Sequence, residues 1–326
     1  MRQKCTNLFG ARWLLCLVLL GCVTETLQEE RRFRLDIDEQ AIKVKVLGTA
    51  AVDGDQPVHD PLGRPRSPAA LAICAEQDPV LHLIDPTAMI LEQLRTLDAL
   101  EPPEPLEPAP EALPKGRALR SILLTHENPE TLEGVRLLLE SLEPGRRVPV
   151  YASPQVLRKI ANDPTLRLRG LLERAELREA QDGEPLLLGT EVLLTPIASP
   201  VDPERTFLGF RIEGSRRALL YLPACGGLTT VQRALVDERY GPVQVALLDG
   251  GRFDHREEQK PGWPIGCHPP MTGVLGILPE GFASRLLLRF TRLPAGNPAL
   301  DPDGRPARVL ADRGAGLVED GTEYWL

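Results

Sequence analysis

The 326-residue chain is poor in basic residues, poor in aromatic residues, and without closely spaced cysteines in its main part. It has 38 Lys and Arg against 46 Asp and Glu, a formal net charge of −8 at pH 7. This acidic balance argues against nucleic acid or an anionic membrane surface as a partner. Only 4% of the residues are aromatic, but 42% are hydrophobic, which is ample for a core. The length suits one large domain or two small ones.

Cysteine usage gives no sign of a disulfide framework or a cysteine-rich metal site. The six cysteines are Cys5, Cys16, Cys22, Cys74, Cys225 and Cys267. The last three lie far apart, at no spacing typical of metal ligands. One pair of them could still form a disulfide in an oxidising compartment, which would leave one thiol over.

The first 22 residues have the pattern of an export signal. Basic residues precede an apolar segment, residues 13–20, that is too short to span a bilayer. The segment ends Leu-Leu-Gly-Cys, which resembles a bacterial lipobox with Cys22 as the lipidated residue. The alternatives are a plain secretory signal and an anchor helix that is not cleaved.

The lipobox resemblance implies a lipoprotein of the bacterial cell envelope. Residues 1–21 would then be a lipoprotein signal peptide, and residues 22–40 a polar tether that holds a domain off the lipid. Val23, rather than an aspartate, follows the cysteine, and this resemblance points to the outer membrane, facing the periplasm. The membrane would thus be a partner through the lipid anchor alone.

From residue 41 onwards, apolar runs typical of strands alternate with helical patterns. This alternation predicts an α/β sandwich with helices on both outer faces. Asp85 precedes a predicted helix, and an N-cap role is favoured over a site carboxylate. Residues 101–116 are rich in Pro and Glu and form an expected surface insertion. Strands are predicted at 42–47, 69–75, 80–84, 122–124, 148–151, 191–197, 207–212, 218–221, 243–248 and 285–290, and helices at 87–100, 129–142, 154–161, 228–236 and 307–313.

A strand, a polar loop and a helix meet at residues 122–142. Pro129 suits the first turn of the helix, and the loop carries His126. Side chains here lie at the carboxyl end of a strand, where α/β folds usually build sites. The segment Thr-His-x-x-x-x-x-x-x-Gly, which starts at residue 125, resembles the metal loop Thr-His-x-His-x-Asp-His-x-x-Gly of the metallo-β-lactamase fold.

The resemblance keeps the frame of that loop but not its full ligand set. His126 holds the first position, Asn128 replaces the second histidine, Glu130 the aspartate and Thr131 the last histidine. An amide oxygen and a hydroxyl are weak ligands for a zinc-like ion. The loop therefore does not predict a complete dinuclear site.

Five segments resemble motifs of one family: Lys43–Ala51, Ala246–Gly250, Gly266–Gly273, Asn297–Asp301 and Asp312–Gly321. That family is the pyrroloquinoline quinone (PQQ) biosynthesis protein B family. That resemblance covers residues 43–326 and implies a four-layer αββα sandwich of the metallo-β-lactamase type over residues 41–326.

The departures from that family concern the metal sites. Its Cys-x-Cys-x-x-Cys zinc motif has no counterpart here, and Phe290–Leu293 lacks the family's histidine. The metal positions that the resemblance leaves are His126, Glu130, Asp249 and His268. Together they imply either no metal or one zinc- or iron-like divalent metal.

Each of these residues also has an ordinary structural interpretation. His126 can bond a neighbouring backbone group, Glu130 suits a helix dipole, and Asp249 can accept from turn amides. Cys225 stands where the fold often keeps a bridging aspartate, although a small buried cysteine is the default. The remaining histidines, His59, His82 and His255, have no site pattern.

Two functions follow from these residues. One is a divergent, catalytically altered or inactive family member that binds a small molecule in a cleft at the sandwich edge. The other is a working mononuclear metal-dependent hydrolase or a PQQ-biosynthesis-like oxidase. A third interpretation is an unrelated α/β domain in which the motif matches are chance.

Overall fold

The computed structural model describes residues 41–51, 58–59, 65–75, 80–95, 97, 118–189, 192–201, 205–236, 241–254 and 268–326. The expected signal peptide, the tether, the Pro/Glu insertion, Cys22, His255 and Cys267 lie outside these residues. Across the described part of the chain, no helix is long and apolar enough to cross a membrane.

The first sheet has seven strands in the order β16-β1-β4-β5-β6-β7-β8. The β16/β1, β1/β4 and β4/β5 pairs are antiparallel, and β5, β6, β7 and β8 run parallel to one another. A separate two-stranded ribbon joins β2 (Val58–His59) to β3 (Pro65–Arg66). The strands are β1 (Ile42–Gly48), β4 (Ala70–Ala75), β5 (Val80–Ile84), β6 (Ala118–Leu123), β7 (Val148–Ala152), β8 (Ala175–Glu179) and β16 (Glu323–Trp325).

The second sheet also has seven strands, in the order β15-β14-β13-β12-β11-β10-β9. Here β9 to β12 pair antiparallel, and β12 to β15 pair parallel. Each sheet thus has one antiparallel and one parallel half. The strands are β9 (Leu186–Leu188), β10 (Val192–Pro200), β11 (Thr206–Glu213), β12 (Ala218–Leu222), β13 (Val245–Asp249), β14 (Leu287–Thr291) and β15 (Ala315–Leu317).

These elements pack in four layers, with one apolar cluster between each pair of adjacent layers. Helices α1 to α3 pack on the first sheet, and α5 to α7 pack on the second. Side chains of both sheets, including Ile84, Leu123, Phe210 and Leu247, form the third cluster between them. The predicted four-layer αββα sandwich is confirmed. The helices are α1 (Ile90–Arg95), α2 (Pro129–Ser141), α3 (Pro154–Asn162), α4 (Pro164–Leu168), α5 (Leu228–Val236), α6 (Met271–Ile277) and α7 (Arg305–Asp312).

The expected helix 87–100 differs from the structure at its start. Helix α1 begins only at Ile90, and residues 98–100 lie outside the described part of the chain. The N-cap prediction for Asp85 is wrong, because its side chain instead accepts hydrogen bonds from Thr125. Asp85 also has a left-handed backbone, with φ of 52°.

Candidate functional site

The ends of parallel strands from both sheets supply the site. Asp85 follows β5, and the loop at residues 124–128 follows the adjacent strand β6. In the second sheet, Asp249 ends β13, and Arg292 follows the adjacent strand β14. The predicted location at one edge of the sandwich follows from this topology, since neighbouring parallel strands end on the same side.

Asp85, Thr125 and His126 form a buried chain of hydrogen bonds. Asp85 Oδ1 accepts from the Thr125 backbone N–H at 2.8 Å, and Asp85 Oδ2 accepts from Thr125 Oγ1 at 2.5 Å. The Thr125 hydroxyl oxygen also lies 2.7 Å from His126 Nδ1. Since Asp85 and His126 Nδ1 are 3.9 Å apart, the hydroxyl links the two groups that do not touch directly.

These hydrogen bonds determine the tautomer of His126. A threonine hydroxyl has one proton, and it is donated to the ionised Asp85 carboxylate. The same oxygen must then accept from His126 Nδ1–H. The lone pair of the neutral ring is therefore on Nε2, which is the form that binds a metal ion or accepts a hydrogen bond.

His126 Nε2 has no hydrogen-bond partner among the described residues, although the side chain is buried. The ring packs edge-on against Phe207, with centroids 5.8 Å apart. Burial holds the pKa of His126 well below its usual value, and the positive charges of Arg292 and His268 lower that pKa further. A neutral imidazole with an unused acceptor is thus built into the site.

Burial also raises the pKa of the Asp85 carboxyl, to about 6, against the hydrogen bonds from Thr125 and the charge of Arg292, which lower it. The hydrogen bonds and the cation stabilise the carboxylate, but they do not outweigh its removal from water.

The two positions that lack metal-loop histidines have structural roles. Asn128 is the N-cap of α2, and its Oδ1 accepts from Glu130 N at 2.7 Å and Thr131 N at 3.4 Å. Thr131 is buried in the first turn of the helix. Glu130 lies partly buried in that turn, where its charge suits the positive end of the helix dipole.

The second sheet contributes a direct carboxylate–histidine pair. Asp249 Oδ2 lies 2.5 Å from His268 Nδ1, and Asp249 Oδ1 accepts from Gly251 N at 2.8 Å. Asp249 therefore both satisfies a turn amide and contacts His268. The backbone oxygen of His268 accepts from the guanidinium of Arg252, which fixes this loop.

A narrow cavity of about 10 Å³ lies between the two sheets at this edge. That volume is about the minimum that holds one water molecule. Asp85, His126, Tyr221 and Arg292 are among its lining residues. Tyr221 is buried, and its hydroxyl, like His126 Nε2, has no hydrogen-bond partner in the described part of the chain.

Two of the residues lining the cavity have a left-handed backbone. Asp85 has φ of 52° and Arg292 has φ of 57°, and they are the two such non-glycine residues in the described ranges. This conformation costs energy for residues with a Cβ, and it tends to persist where the surrounding structure enforces it, often at functional sites. Each residue immediately follows a parallel strand and lines the cavity.

The residues that the structure describes supply no complete set of metal ligands. No three His, Cys, Asp or Glu side chains form a group that could hold a metal ion within the ranges described above. The Asn128 oxygen is used by the helix cap, and Arg292, whose positive charge lowers the pKa of His126, lines the same cavity. A fixed cation there opposes a divalent cation by Coulomb repulsion.

The four predicted metal positions differ in their contacts. His126 and His268 lie close enough for the charge of His268 to affect the pKa of His126, and Asp249 contacts His268 directly. Glu130 lies on α2 beyond the N-cap. Their role as metal ligands stays a prediction.

Other candidates have no role in the cavity. His59 lies exposed on β2, and Cys225 is buried in the core of the second sheet. His82 is buried on β5, with its Nδ1 2.8 Å from Ser121 Oγ, and burial lowers its pKa to about 4. The sequence analysis missed Thr125, Tyr221 and Arg292 as site residues. A signal for Arg292 was available, since it lies where the family histidine is missing.

A larger open groove of about 690 Å³ lies beside the His126 loop. Its lining includes Ser153, Gln155, Arg158 and Leu208. Leu208 N donates to Thr125 O, so this hydrogen bond connects β11, which lines the groove, to the His126 loop.

Comparisons with known proteins agree with this architecture. A family model described as the Beta-lactamase superfamily domain matches residues 82–280, more than half of the chain. Coenzyme PQQ synthesis protein B of Methylorubrum extorquens is 23% identical over 279 residues, covering 79% of this chain and 87% of that protein.

Solved structures show the same fold. Zn²⁺-bound PqqB from Methylobacterium extorquens superposes with a TM-score of 0.64 at 20% identity, covering 87% of this chain and 100% of that one. The metallo-β-lactamase fold protein YhfI from Bacillus subtilis gives 0.58 at 13% identity, covering 88% and 100%. With the sandwich, the edge site and these matches together, the chain belongs to the beta-lactamase superfamily and resembles the PQQ synthesis protein B.

Proposed function

We propose that this protein is a lipid-anchored, divergent relative of the PQQ synthesis protein B whose dinuclear metal site has been lost or altered, and that it binds a small molecule at the sandwich edge. One observation carries the proposal. Arg292 lines the cavity together with His126, and its positive charge lowers the pKa of that histidine. A site that contains a fixed cation suits binding of a ligand better than binding of two divalent ions.

Of the two expected metal contents, none or one zinc- or iron-like ion, the first belongs to our proposal and the second to the alternative function. His126 Nε2 is the one loop nitrogen with a lone pair available, and the Asp249–His268 pair is the other source of ligands. The second candidate function, a mononuclear metal-dependent hydrolase or oxidase, is favoured by the same unpartnered Nε2. It requires His126 and His268 to bind one ion together.

Metal analysis of protein purified without chelator separates these candidates. We expect well below one equivalent of zinc or iron, with no change in His126→Ala. As a gain-of-function control, Asn128→His with Thr131→His restores two loop histidines and should raise zinc affinity. If the parent holds about one equivalent and His126→Ala or His268→Ala loses it, the mononuclear enzyme replaces our proposal.

The envelope location is proposed from the lipobox alone. Metabolic labelling with palmitate should mark the protein at Cys22, and Cys22→Ser should abolish the label. A Cys22→Ser protein that still labels would contradict the anchor. The partners in this proposal are the membrane, through the lipid, and a small molecule, with no role for nucleic acid, consistent with the net charge of −8.

A further inference from the structure

We propose that the cavity between Arg292, Tyr221 and His126 binds a small carboxylate that carries a hydroxyl or amino group on the adjacent carbon. This inference rests on the proposed function, because a metal-loaded site would use His126 differently. It names the ligand class of the site, and the charge that attracts the ligand comes from the protein itself.

Arg292 supplies the positive charge. Within the described residues its guanidinium makes no hydrogen bond or ion pair, although the side chain is partly buried against the cavity. A guanidinium presents several N–H donors in a fixed plane that matches a carboxylate, and such charge-assisted bonds are the strong ones. Asp85, the acid among the lining residues, interacts with the charge of Arg292 but accepts its hydrogen bonds from Thr125.

Tyr221 and His126 supply a donor and an acceptor that the protein leaves unused. Both side chains are more than nine-tenths buried, and the Tyr221 hydroxyl and His126 Nε2 have no partner in the described ranges. Leaving a buried polar group unsatisfied costs about 1–3 kcal/mol, so a ligand or water that satisfies both is favoured. Tyr221 can donate to a carboxylate oxygen.

His126 selects the second group of the ligand. The Asp85–Thr125–His126 chain places the ring proton on Nδ1 and leaves the lone pair on Nε2. That nitrogen repels a bare carboxylate oxygen but accepts from a hydroxyl or an amine. An anion with a donor on the next carbon matches the arrangement of cation, donor and acceptor.

The size of the cavity limits what enters it. At about 10 Å³ it holds one or two non-hydrogen atoms of a ligand and not a whole substrate. The ligand would therefore place its hydroxyl or amino group and one carboxylate oxygen in the cavity, and its remaining atoms would lie outside.

Glycolate and acetate are a matched pair of probes, since they share the carboxylate and differ in one hydroxyl. Binding to the full mature chain is measured at pH 8 by ligand-observed NMR and isothermal titration calorimetry. We expect glycolate to bind at least about 5-fold more tightly than acetate, the value of one hydrogen bond. Arg292→Gln should weaken both ligands at least about 10-fold, and Arg292→Lys should weaken them less.

Control variants distinguish the loss of the Arg292 guanidinium from a general loss of positive charge and from misfolding. Arg308→Gln removes an exposed arginine on α7 and should leave both affinities unchanged. Arg292→Gly deletes the guanidinium and suits the backbone φ of 57°, so it keeps the test available if Arg292→Gln folds poorly. His126→Leu should bring glycolate and acetate to equal affinity.

Three results would overturn the inference. One is equal binding of glycolate and acetate to the parent, and another is glycolate affinity unchanged in both Arg292→Gln and Arg292→Gly. The third is binding of inorganic phosphate but not glycolate, which would assign the site to a different oxyanion. Absence of both zinc and glycolate binding defeats this inference alone, whereas one tight zinc equivalent held by His126 defeats the proposed function.

Discussion

Each sheet contributes one half of the site, consisting of an aspartate and a histidine. The two halves differ in how the aspartate reaches the histidine. In each, a buried parallel strand leads to a histidine loop and then to a helix, β6 to α2 in one and β13 to α6 in the other. In each, an aspartate from a strand end supports the histidine. Asp249 contacts His268 directly, whereas Asp85 reaches His126 through the hydroxyl of Thr125.

The difference separates a rigid half from an open one. The His126 side chain is 8% exposed and the His268 side chain 17%, and the Asp85–Thr125 bonds are fully buried. Water can replace a lost bond at His268 more easily than at His126. The first half should therefore contribute more to stability, and the second half should tolerate change.

The largest effect is expected where α2 packs on the turn after Asp85. A Cβ on Gly134 would lie 2.3 Å from the Pro86 carbonyl carbon, so Gly134→Ala must displace the helix or the turn. We expect a loss of about 3 kcal/mol in the free energy of unfolding. Gly276→Ala in α6 is the matched control, because nothing lies within 4 Å of its Cβ position.

The control substitution, Gly276→Ala, should stabilise the protein. In an exposed helix position alanine is favoured over glycine by about 0.5–1 kcal/mol, so Gly276→Ala should raise the midpoint of denaturant unfolding. Equal effects of the two substitutions would remove the contrast between a rigid and an open half.

The next effect concerns the hydroxyl between Asp85 and His126. Thr125→Val keeps the shape but leaves a buried carboxylate and His126 Nδ1 without their shared partner. We expect a loss of about 2.5 kcal/mol in chemical denaturation, because a buried group that loses its bond bears the full cost of desolvation. Thr125→Ser keeps the hydroxyl and should lose less than about 1 kcal/mol. A Thr125→Val protein as stable as Thr125→Ser would show that the chain of bonds has no structural role.

The free energy of unfolding should depend on pH through the buried His82 on β5. Burial lowers the pKa of His82 from 6.5 to about 4, so the unfolded chain takes up this proton first as the pH falls. Stability is therefore lost between pH 6.5 and pH 4. Asp85, with its pKa raised from 3.8 to about 6, has the opposite sign, since the folded state takes up its proton first.

Removing His82 should expose the contribution of Asp85. His82→Asn keeps a polar atom near Ser121, and from pH 7.5 to pH 5 it should gain about 2 kcal/mol relative to the parent. The measurement is the free energy of unfolding in denaturant at both pH values. A difference between the two proteins that does not change with pH would mean that folding does not lower the pKa of His82.

The sequence predicted most of this architecture, and it failed where contacts between distant residues decide the structure. The strand, loop and helix around His126 follow from local pattern, and α2 begins at Pro129 as predicted. The N-cap prediction for Asp85 failed because its partner, Thr125, is 40 residues away. The three-residue edge strands, such as β9 and β15, are too short for their alternation to be recognised.

Arg292 shows a different limit of sequence reasoning. Its segment was recognised only as a place where a histidine is missing, since a lone arginine after a strand is usually a solvated residue. Its approach to Asp85, His126 and Tyr221 depends on the packing of the two sheets, which brings strand ends together that are far apart in sequence.

The smallest effect is expected in the second half. Asp249→Asn keeps an oxygen that can accept from Gly251 N but removes the charge that faces His268 Nδ1. Because the His268 side chain is 17% exposed, water can solvate the ring, and we expect a loss of only about 1 kcal/mol in the free energy of unfolding. Paired with Thr125→Val in the same denaturation experiment, Asp249→Asn tests the comparison directly. A loss equal to or larger than that of Thr125→Val would assign the rigid half of the site to the second sheet instead of the first.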